Sequence, residues 1–345
     1  MNDREDDRLA TGPAKGDFIA PPEVEERDER EDALPAQEEF WRPPVRFGSV
    51  PVEKEPLGWD RRKGYRKLYP AVYLPFQVVE RVQFGHPELE PNRLFWGDNL
   101  HVMRQLPSES IDLIYIDPPF FSGRQYNVIF GDQNELRSFS DIWEGGMPGY
   151  LIWLNARLYE MKRLLKKTGS IIVHCDWHAS HYIKVQMDMV MGYQRLTNEI
   201  IWRYGLGAAN VSRHFRRKHD ALLVYTRTED YYFEPLRGEP TEAQLAKYCH
   251  VDEYGRYMVS YGKKYYFKGG GILDDVWEVP TIASTSSERI GYPTQKPEAL
   301  LEQVIRAYSP SGGVVADFFC GGGTTPAVAQ RLGRRWIACD QSRVA

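Results

Sequence analysis

The chain has 345 residues, a formal net charge of −4, 13% aromatic residues and four cysteines, enough length for a sizeable core in one large domain or two ordinary ones. Cys175, Cys249, Cys320 and Cys339 are scattered with no CxxC pair, no apolar run approaches a membrane span, and MNDREDDRLA is not a secretory signal. A disulfide framework, a zinc ribbon and a membrane protein are thereby disfavoured, and a reducing cytoplasm is the expected compartment.

Residues 1–55 hold 16 acids and 8 bases, with VEERDERED at their centre, and read as an acidic, disordered tail. The remainder is mildly basic, which permits an anionic partner. Residues 56–92 read as an irregular lead-in. From Arg93 a rhythm sets in: RLFWGDN is a short strand and turn, and IDLIYID a buried strand of β-branched and aromatic residues. Leu151, Leu154, Leu158, Met161 and Leu165 recur at helical spacing and predict an amphipathic helix over 150–167, closed by Gly169. A strand SIIVHCD, a helix through Ile183 to Met191, and strands NEIIWRY and ALLVYTR follow. From Thr228 to Arg289 the rhythm fails in a stretch rich in Tyr, Lys and Gly, which reads as an insertion. It resumes with a helix after Lys296-Pro297, the strand VVADFF, the turn CGGGTT, a helix to Leu332 and the strand RWIACD. This alternation predicts an α/β fold, a mostly parallel sheet with helices on both faces.

Two strand ends carry chemistry. In VVADFFCGGGTT a strand, a glycine turn and a helix N-terminus bring backbone N–H groups close to a ligand, and about 20 residues on a second strand ends in Asp340, where an acid commonly bridges the hydroxyls of a ribose. Asp317 precedes the glycines on the strand itself, which favours a nucleoside with a small zwitterionic tail over a pyrophosphate. In IDPPF, Pro118 and Pro119 fix the backbone and donate nothing, so Asp117 and a proline carbonyl form a pair of acceptors beside the ring of Phe120. A planar exocyclic amino group, N6 of adenine or N4 of cytosine, presents the matching pair of donors. A surface turn after a strand is the plain alternative.

Other features are weaker. HCDWHASH offers His174, Asp176, His178 and His181, from which a metal site could be drawn, but no metal is expected. Cys175 and Cys320 could be drawn as nucleophiles, but neither follows a proline and DPPF contains no cysteine. RHFRRKHD, with Arg213, Arg216, Arg217 and Lys218, follows the loop GLGAAN on the side where DPPF emerges and reads as a phosphate clamp. In the insertion, Lys263 and Lys264 interleave with Tyr261, Tyr265 and Tyr266 as a base-reading surface would, or as an aromatic strand on the core.

Six collinear blocks, GDNLHVMRQLPSESIDLIYIDPPF, GSIIVHCDWHASHYIKVQMD, NEIIWRY, KHDALLVYT, YPTQKPEALLEQVIRAYS and ADFFCGGGTT with WIACD, resemble the amino-group DNA methyltransferases that use S-adenosyl-L-methionine. The order, DPPF before the glycine turn with an insertion between, is similar to the permuted β class, which includes the modification subunits of type III restriction systems. The resemblance covers roughly Asn92 onward. It implies a class I methyltransferase (Rossmann-like) sheet, circularly permuted, with a catalytic half over 93–227, an inserted target-recognition region over 228–289 and a cofactor half over 290–345. It further implies that Asp117, Pro118, Pro119 and Phe120 meet the target base, Phe120 standing where the family has Tyr or another aromatic. Asp317, Phe319, Gly321, Gly323 and Thr324 would cradle the methionine end of the cofactor, Asp340 its ribose, Asp98 and Asn99 its adenine, with Lys296 nearby. Cys320 and Gly322 stand where Ala and Ser are usual. The chain stops five residues after Asp340, where family members usually continue into another helix, so a truncated cofactor half is one expectation and a substituting lead-in the other. The expected partner is double-stranded DNA. Adenine N6 is the expected acceptor, with cytosine N4 or a silent specificity subunit as rivals, and a restriction subunit or a homodimer is compatible with the same reading.

Overall fold

The computed structural model describes residues 74–82, 90–121, 146–205, 213–292 and 294–342; the acidic tail, most of the lead-in and most of GLGAAN lie outside the described residues. In chain order the elements are β1 (Arg93–Trp96), α1 (Asn99–Gln105), β2 (Ile111–Ile116), α2 (Gly146–Leu164), β3 (Leu165–Cys175), α3 (Ser180–Met191), β4 (Leu196–Arg203), β5 (His219–Thr226), α4 (Glu242–Lys247), β6 (His250–Asp252), β7 (Gly255–Ser260), β8 (Lys263–Tyr266), β9 (Val276–Glu278), α5 (Glu298–Tyr308), β10 (Val314–Asp317), α6 (Thr324–Arg331) and β11 (Arg335–Asp340).

Eight strands form one sheet in the order β1-β11-β10-β2-β3-β5-β4-β9. The pairs from β1 to β3 are parallel, as is β4 with β9, and β5 is antiparallel to both its neighbours. The sheet is mostly parallel, as expected, and its order is that of the permuted arrangement the resemblance implies: β10, the strand that leads into the glycine turn, comes late in the chain yet sits beside β2.

Alternation along β2 explains why helices cover both faces. Ile114 and Ile116 pack into one core with Leu100 and Met103 of α1 and the apolar stripes of α2 and α3. Leu113 and Tyr115 point the other way, into a second core with Leu300, Leu301, Val304 and Ile305 of α5 and Val328 of α6. A strand buried on both sides needs apolar residues at every position, which is why IDLIYI is nearly continuous.

The predicted helix over 150–167 is corrected at its end. It stops at Leu164, and residues 165–169 belong to β3. A Cβ on Gly169 would lie 3.0 Å from the carbonyl oxygens of Ile111 and Asp112, so this glycine permits close strand approach rather than closing a helix. Lys166 pairs with buried Asp112 at 2.7 Å, which fixes the early residues of β3 as strand.

The stretch 228–289 holds two kinds of structure. Its beginning lies along the core, with the Tyr232 amide donating to Thr168 (3.0 Å) and the Glu234 amide to Ala307 (2.8 Å), and β9 joins the edge of the main sheet. Only β6, β7 and β8 form a separate three-stranded antiparallel sheet. No helix among the described residues is long and apolar enough to cross a membrane.

Candidate active site at four strand ends

Because β1, β11, β10 and β2 run parallel and adjacent, their carboxyl ends line one edge, where ligands of open α/β sheets bind. That edge receives Gly97-Asp98 from β1, Asp340 from β11, the glycine turn from β10 and DPPF from β2.

The cofactor side is tightly cross-linked. The Gly97 amide donates to the Asp340 carbonyl at 3.0 Å, and the Asp340 carboxylate accepts from the Gly321 and Ser342 amides, each at 2.8 Å. Gly321 (φ +47°) and Gly323 (φ +79°) occupy left-handed conformations, and a Cβ on Gly321 would meet the Tyr292 ring at 2.9 Å. Both glycines are required, one by contact and both by backbone. Thr324 opens α6 and donates to the Lys296 carbonyl at 3.2 Å.

Asp317, expected to meet the methionine end, is instead turned inward. One oxygen accepts from the Phe319 amide at 2.9 Å and the other from the Thr325 hydroxyl at 2.5 Å, and burial lifts its pKa to about 7 against the opposing pull of those two bonds. These two bonds tie the end of β10 to the turn and to α6.

Asp98 and Asn99 are held by a residue that the sequence reading missed. Arg157 of α2, 2% exposed, donates to Asn99 Oδ1 (2.7 Å), to both oxygens of Asp98 (3.1 Å each) and to the Trp153 carbonyl (3.1 Å). Its guanidinium lies 4.1 Å from the centre of the Trp153 ring, which in turn contacts Phe319. Asn99 Nδ2 closes the loop by donating to the Phe318 carbonyl at 2.7 Å. The clue was a cation on the apolar stripe of a helix, between Leu154 and Met161.

On the base side, Asp117 follows β2, with Pro118 buried and Pro119 and Phe120 half-buried. Phe121 has φ +56°, an unusual value for a bulky residue. Lys296, expected among the cofactor residues, donates to Asp117 Oδ2 and stands 5.5 Å from the Phe120 ring centre. The other oxygen, Asp117 Oδ1, is buried with no hydrogen-bond partner among the described residues.

Behind Asp117 lies a second group without assigned roles. The Tyr115 hydroxyl and His174 Nδ1 are 2.8 Å apart, His174 Nε2 and Asp220 Oδ2 are 3.1 Å apart, and Tyr204 donates to Asp220 Oδ1 at 3.0 Å. Burial raises the pKa of Asp220, but its electrostatic and hydrogen-bond interaction with His174, then the hydrogen bond from Tyr204 and the charge of Lys296, outweigh it and leave the group below its ordinary value. Burial, then the charges of Asp117, Asp317 and Asp220, push the Tyr115 hydroxyl well above its own. His178 pairs elsewhere, with Asp176 at 2.7 Å.

Of the cations predicted to meet phosphate, Arg213, Arg216 and Arg217 are exposed between β4 and β5, with Lys218 half-buried. Arg217 stacks 3.7 Å from the ring centre of Trp177, just past the end of β3 and so at the edge where Asp117 emerges. Lys263 and Lys264 stand on the separate sheet, Lys264 paired with Asp252 at 2.7 Å and 4.4 Å from the Tyr257 ring centre.

The donor set fits an adenosyl cofactor next to an amino-bearing base: a carboxylate at the end of β11, a glycine turn, a partly exposed carboxylate at Asp98, and across from them an unpaired acceptor on Asp117. A family model described as DNA methylase matches residues 111–345. DNA adenine methyltransferase YhdJ of Escherichia coli K12 is 26% identical over 263 residues, covering 76% of this chain and 81% of that protein. Type II methyltransferase M.ScaI of Streptomyces caespitosus is 28% identical over 301 residues, covering 84% and 90%. The solved PvuII DNA methyltransferase (cytosine-N4-specific) is 19% identical, covering 73% of this chain and 82% of that one, at a TM-score of 0.48. With two thirds of its length matched, and with acid, prolines and glycine turn at adjoining strand ends, the chain belongs to the N6/N4 DNA methylase family of S-adenosyl-L-methionine-dependent DNA methyltransferases.

Proposed function

We propose that the protein methylates N6 of adenine in duplex DNA, at a base swung out of the helix. The observation that carries this reading is the buried, unpaired Oδ1 of Asp117 beside two prolines. An acceptor left unsatisfied inside a protein is costly, and an exocyclic amino group with two N–H donors would satisfy both it and a neighbouring proline carbonyl.

Bound S-adenosyl-L-methionine supplies an electrophilic methyl group. The residues here supply position and charge. Phe120 offers a face for the extruded base to stack on. Asp117 and the proline carbonyl draw the amino nitrogen out of conjugation and stabilise the positive charge that develops on it. Lys296 donates to one Asp117 oxygen and holds the carboxylate in place. Arg213, Arg216, Arg217 and Lys218 bind phosphate along the same edge, and the sheet of β6, β7 and β8, with Lys263 and Lys264, contributes to target recognition. An aspartate at the first position of the motif favours adenine, as does the likeness to a protein named an adenine methyltransferase.

The test is to incubate the protein with radiolabelled S-adenosyl-L-methionine and mixed-sequence duplex DNA, digest to nucleosides and identify the labelled product. Label in N6-methyl-2′-deoxyadenosine is expected. Label in N4-methylcytosine would replace the acceptor and keep the site, and cofactor binding with no labelled nucleoside would favour a silent specificity subunit.

A further inference from the structure

The buried chain Tyr115–His174–Asp220–Tyr204 touches the base-binding acid without joining it. His174 is fully buried, and its Nδ1 lies 3.8 Å from Asp117 Oδ1, beyond hydrogen-bond reach. Its ring is wedged in place, 5.7 Å from Phe120 and edge-on to Trp202 at 5.4 Å between centres. A histidine this close to a buried carboxylate oxygen would ordinarily satisfy it.

The partners of the imidazole explain why it does not. Asp220, accepting at 3.1 Å, fixes a proton on Nε2. Tyr115, at 2.8 Å from Nδ1, has no other hydrogen-bond partner among the described residues, so its O–H is satisfied only by donating to the Nδ1 lone pair. A proton on Nδ1 would leave the Tyr115 hydrogen with nowhere to go. We infer that His174 is a positioning residue for methyl transfer: locked as the neutral Nε2–H tautomer by Asp220 and capped by Tyr115, it packs against Asp117 while withholding a hydrogen bond, so that Oδ1 stays open for the amino group of the base. This rests on the proposed role of Asp117 and explains how an unsatisfied acceptor is maintained there. The groups facing the ring are Tyr115 and Asp117 from the β2 side and Asp220 from β5, with Lys296 behind Asp117 and Tyr204 behind Asp220.

Nitrogen-15 NMR of the histidine-labelled full chain, without DNA or cofactor, reads the tautomer directly. At neutral pH an unprotonated Nδ1 and a protonated Nε2 are expected for His174, assigned by loss of its signals in His174→Gln. A proton on Nδ1, as tautomer or imidazolium, would overturn the inference. A second measurement uses Tyr115→Phe, which removes the cap. In that variant the Nδ1 resonance of His174 should move away from the position of a lone pair that accepts a hydrogen bond, and kcat should fall with KM for DNA unchanged. An Nδ1 resonance that stays where it was, whatever happens to kcat, would mark Tyr115 and His174 as packing alone. The NMR result does not depend on which base is methylated, so failure here and failure of the adenine assignment are separable.

Discussion

Two aspartates end neighbouring parallel strands and are treated in opposite ways. Asp317 closes β10 with both oxygens accepting from its own turn, and burial leaves it half-protonated near neutrality. Asp117 follows β2 with one oxygen on an ammonium and the other unpaired. The first is an internal brace and the second an instrument. The acid offered to the base is paired with a cation through one oxygen and left open at the other, whereas burial brings the acid that braces the turn close to neutrality.

Exchanging each for asparagine gives the largest contrast. Asp117→Asn places a donor where an acceptor is needed and removes the charge that answers the developing ammonium. Turnover should fall by about a thousandfold or more, with cofactor affinity nearly kept. Asp317→Asn changes a group already half neutral and should lower kcat by about tenfold at most. Single-turnover rates with saturating cofactor and DNA would measure both, and similar losses would erase the distinction between them.

Lys296 tests what the charge on Asp117 requires. Lys296→Met keeps the bulk beside Phe120 but strips Asp117 of its partner, leaving a carboxylate 16% exposed with no cation bonded to it. A loss of about 10- to 100-fold in kcat is expected, because the carboxylate loses the bond that positions it. A loss confined to cofactor affinity would return Lys296 to the role first expected of it.

What the sequence revealed and what it concealed follow the same divide. Strand β2 was legible because burial on both faces leaves a continuous apolar run, and the glycine turn because positive φ leaves glycine little competition. The early start of β3 was not, since Leu165 also continues the helical spacing of α2 and only the approach of Gly169 to the Ile111 and Asp112 carbonyls decides the matter. Asp117 was found from its prolines. Arg157, Tyr115 and Asp220 were not, because the bonds that tie them to Asp98, Asn99 and His174 span 46 to 59 positions and no local pattern encodes a tertiary hydrogen bond. Lys296 was singled out, but its bond to Asp117 was not foreseen, because the two lie 179 residues apart.

The brace makes a thermodynamic prediction of its own. A carboxyl lifted from its ordinary value to about 7 binds its proton more tightly folded than unfolded. Its contribution to stability is therefore complete below about pH 4 and is lost as pH rises through about 7. Wild type should lose stability relative to Asp317→Asn across that window, by on the order of a few kcal/mol, as chemical unfolding at a series of pH values would read. A flat difference would mean that Asp317 ionises in the fold as easily as in the open chain.

Thr325 should shift that window by a smaller amount. Its hydroxyl donates to Asp317 at 2.5 Å and is the strongest influence holding the pKa down against burial. Thr325→Val keeps the shape and removes the donor. The folded pKa should then climb above about 7, and the decline in stability should continue to higher pH than in wild type. Below about pH 4, where Asp317 is protonated folded and unfolded alike, the variant should be weaker only by the lost hydrogen bond, about 1 kcal/mol. Above pH 8 the gap should widen, because the buried carboxylate is then charged with one donor fewer. A gap of constant size would show that Thr325 acts on packing and not on the charge, and would leave the Phe319 amide as the bond that tempers the acid.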